Sequence, residues 1–243
     1  MLAAAVVVAW LPRRVREEPL AIVHVGERAD AIAGAHGLDA NLTDFLLESP
    51  ALSVHLHYVG RGQLSPLHLH PHGVEATTIV QGNAEVTTVT PRGRSVVALA
   101  PSGTAIFGPG VAHRFLDASK DAPLVNLVVS LPAFEHNTYV VDEADPRIVD
   151  GAAMTGDFAG AIAHFASTSD PVLRAELPGG LALLLVRDVA ELVPAPLAIA
   201  YVLRGEGTVD GHALVAQDLA IARKRVTVRA LKPMALLVVT ASP

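Results

Sequence analysis

The stretch Gly62–Gly82, GQLSPLHLHPHGVEATTIVQG, contains three histidines and a glutamate between its flanking glycines. Side chains two apart on a β-strand share a face, so we expect His68 and His70 to point the same way. A turn at residues 71–74 then brings Glu75 beside them on the next strand. Two imidazoles and a carboxylate that converge in this way predict a metal site.

A fourth ligand candidate, His113, lies downstream in the segment GPGVAHRFLD (108–117). Three imidazoles and one carboxylate suit one divalent first-row transition metal, with Fe or Mn favoured and Ni, Co or Zn as alternatives. Four protein ligands leave positions open on an octahedral ion, which substrate or dioxygen activation requires. Histidines in a row are also found as polar residues of surface loops, but the spacing here favours the metal site.

The spacing resembles the first motif of the cupin family, which reads glycine, five residues, His-x-His, four residues, Glu, six residues, glycine. Gly62, His68, His70, Glu75 and Gly82 occupy all of its fixed positions. The resemblance implies an all-β chain with the cupin fold, a double-stranded β-helix or jelly-roll barrel. It also implies a metal bound by His68, His70, Glu75 and His113.

The second cupin motif is matched less closely. Gly110, His113 and Asp117 follow the end of the motif, although the family usually has Asn where this chain has Asp117. The proline of the motif is displaced to Pro109, and Ser102 stands where the leading glycine belongs. These departures bear on the conformation of the loop and leave His113 as the expected ligand.

His72 allows a second register. The sequence His70-Pro-His72 with Glu75 also resembles the opening of the pirin branch of cupins, which would make His70 and His72 the ligand pair. The flanking glycines fit only the His68–His70 register, which we prefer. His72 is then expected at the rim of the site, where it could orient a ligand or act in catalysis as a proton shuttle.

Five further residues are candidates for the wall of a pocket. His55 and His57 share a face of the preceding strand, and we expect this to be the exposed polar face of an edge strand. If that face turns inward, both histidines line the pocket instead. Thr77, Ile79 and Phe115 follow Glu75 and His113 by even steps, and alternation places them on the ligand face, where core packing is the more usual role.

An internal repeat divides the chain. TIVQG (78–82) aligns with YVLRG (201–205), so two β modules in tandem are predicted. We expect an N-terminal segment plus a metal-binding cupin barrel at 1–136 and a connector at 137–170. A degenerate cupin barrel follows at 171–243. The connector contains a short helix, with Phe158, Ile162 and Phe165 at helical spacing and Asp157 as its N-cap.

The second module has no equivalent metal site. Transferring the motif spacings from Gly82 to Gly205 places Glu191, Val193 and Ala198 at the ligand positions, and Val228 near the position of the second-motif histidine. One carboxylate and three aliphatic side chains cannot hold a transition metal. The second barrel is therefore expected to be structural.

The composition excludes several classes of protein. The 243 residues are 51% hydrophobic and 17% charged, which rules out a disordered chain, and the net charge of −6 argues against a nucleic-acid partner. Without cysteine there is neither a disulfide nor a thiolate site.

The apolar run Leu2–Leu11 is too short for a membrane span, and we read it as a strand or tail. A cytoplasmic protein is the weakly favoured expectation, and a homodimer is compatible with the sequence.

These features predict a metal-dependent enzyme, with a non-haem dioxygenase or related oxidoreductase of a small organic acid or phenol-like substrate as the first hypothesis. A cupin-type isomerase that uses the metal as a Lewis acid is a second hypothesis. It would need a cationic phosphate clamp, and Arg114 points away from the ligand face. A metal-bearing binding or regulatory module without catalysis is the third.

Overall fold

The strands form where β-branched and apolar residues run between turn-forming residues. The run Val74–Gln81, VEATTIVQ, ends at Gly82, whose φ of +79° lies in the left-handed region that favours glycine. The run Ala84–Thr90, AEVTTVT, ends at the turn of Pro91 and Arg92. The computed structural model describes residues 7–10, 18–36, 41–119, 122–134, 138–194 and 197–241.

Most of the described residues belong to strands, and two α-helices interrupt them. In chain order the elements are β1 (Val7–Trp10), β2 (Leu20–His24), α1 (Val25–His36), β3 (Leu42–Glu48), β4 (Ser53–Val59), β5 (His68–Leu69), β6 (Val74–Gln81), β7 (Ala84–Thr90), β8 (Gly93–Leu99), β9 (Thr104–Phe107), β10 (Ala112–Asp117), β11 (Leu124–Leu131), β12 (Tyr139–Val140), β13 (Ala153–Gly156), α2 (Ala159–Ser167), β14 (Val172–Glu176), β15 (Leu181–Val186), β16 (Val189–Leu192), β17 (Leu197–Val209), β18 (His212–Val215), β19 (Asp218–Ala222) and β20 (Val226–Ala241).

The chain divides into two units, one made of Met1–Pro12 with Glu27–Asp157 and the other of Arg13–Gly26 with Phe158–Pro243. The first unit holds a seven-stranded sheet in the order β1-β3-β4-β11-β6-β9-β13 and a five-stranded sheet in the order β12-β5-β10-β7-β8. Ile79 and Phe107 of the larger sheet pack against Val86 and Phe115 of the smaller one. The two sheets therefore face each other across a shared core, as in a jelly roll.

The second unit is one sheet in the order β14-β15-β20-β17-β19-β2, with β16 paired to β20 and β18 paired to β17. Its two longest strands, β17 and β20, have 13 and 16 residues and pair with each other. One face of this sheet buries aliphatic side chains such as Leu184, Val202 and Leu236. The all-β, jelly-roll prediction is confirmed.

Particular elements differ from the predictions. The N-cap of α2 is Phe158, in the left-handed region at φ +56°, and no side chain caps it, so the prediction of Asp157 as the cap is wrong. The helix α1 and the strand β3 were not predicted. Of the predicted N-terminal strand, Val7–Trp10 pairs in parallel with β3, and the rest of Leu2–Leu11 lies outside the described residues.

The segment predicted as a connector contributes to both units. Its strands β12 and β13 pair with β5 and β9, and so extend the two sheets of the first unit. Its helix α2 belongs to the second unit. Among the described residues, no helix has the length and apolar character needed to cross a bilayer.

Candidate metal centre

Two sheets meet at the cluster of His68, His70, Glu75 and His113. His68 on β5 is the direct cross-strand partner of His113 on β10, while Glu75 lies on β6 of the opposite sheet. His70 follows β5 by one residue. All four side chains are buried, and one ligand atom from each lies within 4.8 Å of the others. The structure therefore brings together the four residues that the sequence predicts as ligands.

The carboxylate of Glu75 is the centre of the cluster. Its Oε2 lies 2.9 Å from His70 Nε2 and 3.7 Å from His68 Nε2, and its Oε1 lies 3.2 Å from His113 Nε2. Two ligand atoms at right angles around one ion, each about 2.1 Å from it, lie about 3 Å apart. The spacing of the four donors is therefore that of ligands around a single small cation.

The far side of each imidazole is held by a hydrogen bond. His68 Nδ1 donates to Pro66 O at 3.0 Å, and His113 Nδ1 donates to Val111 O at 3.1 Å. A carbonyl only accepts, so Nδ1 of both rings carries the proton and Nε2 presents a lone pair to the cluster. Partners of this kind are typical of metal-binding histidines, because they orient the ring and raise its basicity.

Thr138 does the same for His70. The Thr138 hydroxyl donates to Phe134 O at 2.7 Å, so its oxygen accepts from His70 Nδ1 at 3.2 Å. The third ring is thereby set in the same tautomer as the other two. Neither Thr138 nor Phe134 was predicted from the sequence, because both lie more than 60 residues beyond the histidines that they contact.

Thr77 fixes the carboxylate. Its hydroxyl donates to Glu75 Oε1 at 2.7 Å, and the residue is fully buried. His68 Nε2 is buried too, and no hydrogen-bond partner for it exists in the described part of the chain. A buried lone pair without a donor is costly unless a cation accepts it, so the donor set fits a divalent transition metal.

Burial and mutual contacts shift the pKa values of Glu75, His68 and His113 in different directions. Burial alone would raise the pKa of Glu75, but the neighbouring His113 and the other imidazoles hold it well below its usual value, and Glu75 in turn raises the pKa of His68 against the effect of burial. Burial and the neighbouring His68 lower the pKa of His113 to about 4. An anionic carboxylate and a neutral imidazole are the forms that bind a metal.

Aromatic rings enclose the histidines. Phe107 stacks on His113 with 3.8 Å between ring centroids and an angle of 4° between the planes. The ring of Phe134 meets His68 and His70 edge-on, at 6.2 Å and 5.9 Å. These rings lower the local dielectric constant and hold the imidazoles in place.

The expectation that His55 and His57 lie on an exposed edge strand is wrong. Their strand, β4, is hydrogen-bonded on both sides, to β3 and to β11. The prediction treated β4 as an edge strand because it did not include β3. His55 is only 2% exposed and packs against Phe134, which also contacts the metal cluster, while His57 is half-buried. Burial lowers the pKa of His55 to about 3 and that of His57 to about 4.

The other predicted pocket residues are buried on the ligand side. Thr77 contacts Glu75 directly, as described above. Ile79 and Phe115 lie in the core between the two sheets, 0% and 2% exposed. His72, the predicted catalytic residue, is exposed in the turn between β5 and β6, two residues from His70. Its role stays a prediction.

Two polar residues of β11, Asn126 and Ser130, were missed as site candidates. Asn126 is the cross-strand partner of His57 and Ile79, and Ser130 is the partner of Ser53 and Glu75. Cross-strand partners share a face, so this row lies on the face that carries Glu75. The side-chain amide of Asn126 and the hydroxyl of Ser130 are buried without hydrogen-bond partners among the described residues. Only the strand register could have identified them.

Solved structures of other proteins share the fold of this chain. No family model matches the sequence, and no curated protein matches it. The salicylate 1,2-dioxygenase of Pseudaminobacter salicylatoxidans matches with a TM-score of 0.65 and 15% identity over 90% of this chain and 82% of its own. A variant of that dioxygenase in complex with gentisate matches with a TM-score of 0.64 and 14% identity, over 90% and 81% of the two chains.

A decarboxylase shares the architecture less closely. The oxalate decarboxylase of Bacillus subtilis matches with a TM-score of 0.52 and 15% identity, over 80% of this chain and 69% of its own. At such identities the likeness establishes the fold and not the reaction. The chain has the jelly-roll fold of these cupin enzymes, and its first unit carries a buried His–His–Glu–His cluster suited to a metal ion.

Proposed function

We propose that the chain is a non-haem, metal-dependent dioxygenase that acts on a small organic acid, with aromatic hydroxy acids as the favoured class. The observation that carries the proposal is the arrangement of His68, His70, Glu75 and His113. Three imidazoles are held from behind in one tautomer, around a carboxylate that is itself held by Thr77. Such prepared donors are typical of a metal centre.

His68, His70, Glu75 and His113 would hold one Fe or Mn ion, which supplies Lewis-acid and redox chemistry towards dioxygen and substrate when bound. The protein does the rest of the work. Phe107 and Phe134 exclude water from the imidazoles, and Thr77 and Thr138 keep the carboxylate and one ring in position. The resulting dry, oriented site favours reactive chemistry over side reactions with water.

The polar row beside the cluster supports an oxygen-rich substrate. Among the described residues, the donor and the acceptor of the Asn126 amide and the hydroxyl of Ser130 have no hydrogen-bond partner, and His57 lies across from Asn126. A hydroxyl or carboxyl group of the substrate would form hydrogen bonds with these buried atoms. A buried donor or acceptor without a hydrogen bond costs free energy. Arg114, by contrast, reaches Glu143 at 3.4 Å, which gives no support to a phosphate clamp for the isomerase hypothesis.

His72 remains our candidate for handling the proton. It is exposed at the turn that follows His70, so it can exchange protons with water while lying close in sequence to a ligand. Through this position it would pass a proton between solvent and a substrate hydroxyl. The proposal gives His72 no part in binding the metal.

We also propose that the second unit is a cupin module without a metal. At the positions that correspond to ligands, Ala198 and Val228 are buried apolar residues and Val193 is exposed. Glu191 pairs with Arg225 on the surface at 2.9 Å. The match to the dioxygenase extends over 90% of the chain, which supports a two-module arrangement.

The test combines metal content with oxygen uptake. The purified protein, dialysed without chelator, is analysed by inductively coupled plasma mass spectrometry, and an oxygen electrode then follows uptake with salicylate, gentisate and oxalate. We expect about one equivalent of Fe or Mn per chain and uptake with an aromatic hydroxy acid. The variants His70→Ala and Glu75→Gln should lose the metal and the uptake, while Glu191→Ala should keep both.

The outcomes separate the hypotheses. Full Fe or Mn loading without oxygen uptake on any organic acid tried would contradict the dioxygenase and favour an isomerase or a binding module. Normal metal content in His70→Ala would contradict the assignment of the centre itself. No binding even after reconstitution with Fe, Mn or Zn would remove the basis for an enzyme.

A further inference from the structure

The second unit contains a cavity of about 550 Å³, and no residue of the metal centre lines it. Its walls come from α2, from the end of β15 and from the paired strands β17 and β20. Binding sites for small organic molecules occupy roughly 300–1,000 Å³. The cavity is therefore large enough for a small ligand of its own.

The inner wall of the cavity is apolar. It includes Phe165 of α2, Leu185 of β15 and Met234 of β20, which are 3%, 1% and 1% exposed. Ile162 of α2 adds a half-buried aliphatic side chain. A ligand must therefore present an apolar body to this wall.

The rest of the lining is cationic. Arg187, Arg204 and Lys232 all line the cavity, in a chain whose net charge is −6. Lys232 pairs with Glu206 at 3.0 Å, and Arg187 donates to the carbonyls of Phe165 and Thr168 at the end of α2. Arg204 is an exposed residue of the lining. Three cations against one carboxylate favour an anionic ligand.

Arg204 and Lys232 lie on an irregular stretch of the sheet. The pairing of β17 with β20 shifts register between Val202 and Arg204, again between Arg204 and Glu206, and once more before Gly207. Register shifts of this kind re-aim side chains that a regular ladder would send to alternating faces. Gly205, at φ +92°, lies so close to Pro233 O that a side chain would clash there. The backbone beside the cavity therefore departs from regular strand pairing and requires glycine at position 205.

We propose that this cavity binds a small amphipathic anion, a monocarboxylate with an alkyl or aryl body. The carboxylate lies against Arg204 and Lys232, and the apolar body contacts Phe165, Leu185 and Met234. An arginine fork suits a carboxylate, because it can donate two parallel hydrogen bonds. The inference does not depend on the proposed dioxygenase activity, since it uses only residues of the second unit.

Isothermal titration calorimetry on the full-length, metal-free protein tests the proposal, with acetate, hexanoate, octanoate and benzoate as probes. Removing the metal prevents carboxylates from binding at the metal centre. We expect hexanoate to bind at least tenfold more tightly than acetate, since every methylene that enters the cavity leaves water. Tighter binding of benzoate than of octanoate would identify an aryl ligand, and the reverse an alkyl one. Equal affinity for acetate and octanoate, or no binding of any probe, would overturn the proposal.

Matched variants locate the binding. Arg204→Gln should weaken hexanoate binding at least tenfold, whereas Arg229→Gln, an exposed arginine of β20 outside the lining, should leave it unchanged. Ala166→Trp, at an exposed lining position of α2, should block binding without altering charge. Glu75→Gln should bind hexanoate normally. Unchanged affinity in both Arg204→Gln and Ala166→Trp would show that the carboxylate binds elsewhere.

Discussion

At the scale of single residues, the candidate metal centre depends on hydrogen bonds that reach its ligands from outside. Pro66 and Val111 supply backbone carbonyls to two imidazoles, and Thr138 supplies a hydroxyl to the third. Thr77 donates to the carboxylate of Glu75. These four contacts set which atom of each ligand faces the cluster, so each is expected to tune the affinity for the metal.

Thr77 and its neighbour Thr78 offer a matched test of this idea. Both are buried on β6, but the Thr78 hydroxyl pairs with Thr104 Oγ1 on the other face of the strand, at 3.0 Å. Each valine variant should lose about 1 kcal/mol of stability with its hydrogen bond. Only Thr77→Val should also weaken metal binding, by about 10–100-fold, measured by competition with a chelator. Equal metal affinity in the two variants would contradict the role of Thr77.

At the scale of secondary-structure elements, the two glycines of the histidine motif close the ends of strands. Gly62 N donates to Asp117 Oδ2 at 3.0 Å, which ties the start of the motif to the end of β10. Gly82 follows β6, and a Cβ there would lie 2.7 Å from Pro123 O and 2.6 Å from Ser119 Oγ. Both residues have positive φ, but only Gly82 is also closely packed.

Alanine at each glycine separates these two effects. Gly62→Ala adds a Cβ with no atom within 4 Å, so it should cost only the strain of positive φ, about 1 kcal/mol. Gly82→Ala adds a clash with backbone and should cost about 2–4 kcal/mol. The free energy of unfolding of each variant, from urea denaturation, checks the difference. Equal losses would show that the contact around Gly82 relaxes freely.

At the scale of the whole molecule, buried histidines make stability depend on pH. The pKa of His55 is lowered to about 3 by burial, and burial lowers that of His57 to about 4. In the unfolded chain these groups titrate near pH 6.5. As the pH falls from about 6.5 towards 3, the unfolded state therefore binds protons that the folded state does not, and stability falls.

Replacing His55 should weaken this dependence. Between pH 7 and pH 5 the metal-free protein should lose up to about 2 kcal/mol of stability through this one residue, a loss that His55→Phe removes. His212→Phe, at an exposed position, should leave the pH dependence as it is. Urea denaturation of the three proteins at both pH values measures the effect. An identical pH dependence in His55→Phe would place the acid-sensitive groups elsewhere.

Local sequence patterns were sufficient to predict the local features of this protein. Strand alternation was enough to place Thr77 on the same face as Glu75, because successive side chains on a strand point to opposite faces. The spacing of His68, His70 and Glu75 was also sufficient to predict convergence, since a short strand and turn leave little freedom between them. His113 was predicted as a ligand from the second sequence motif, and it lies within the same cluster in the structure.

Features that depend on strand register and on which strands are neighbours became visible in the three-dimensional structure. The unpredicted strand β3 pairs with β4, so β4 is not an edge strand, and His55 packs against Phe45 and Phe134 and is buried. The inward row of Asn126 and Ser130, and the support of His70 by Thr138, join residues far apart in the chain. The cavity of the second unit lies where the pairing of β17 with β20 shifts register. Such features arise from non-local pairing, which a single sequence does not encode in any local pattern.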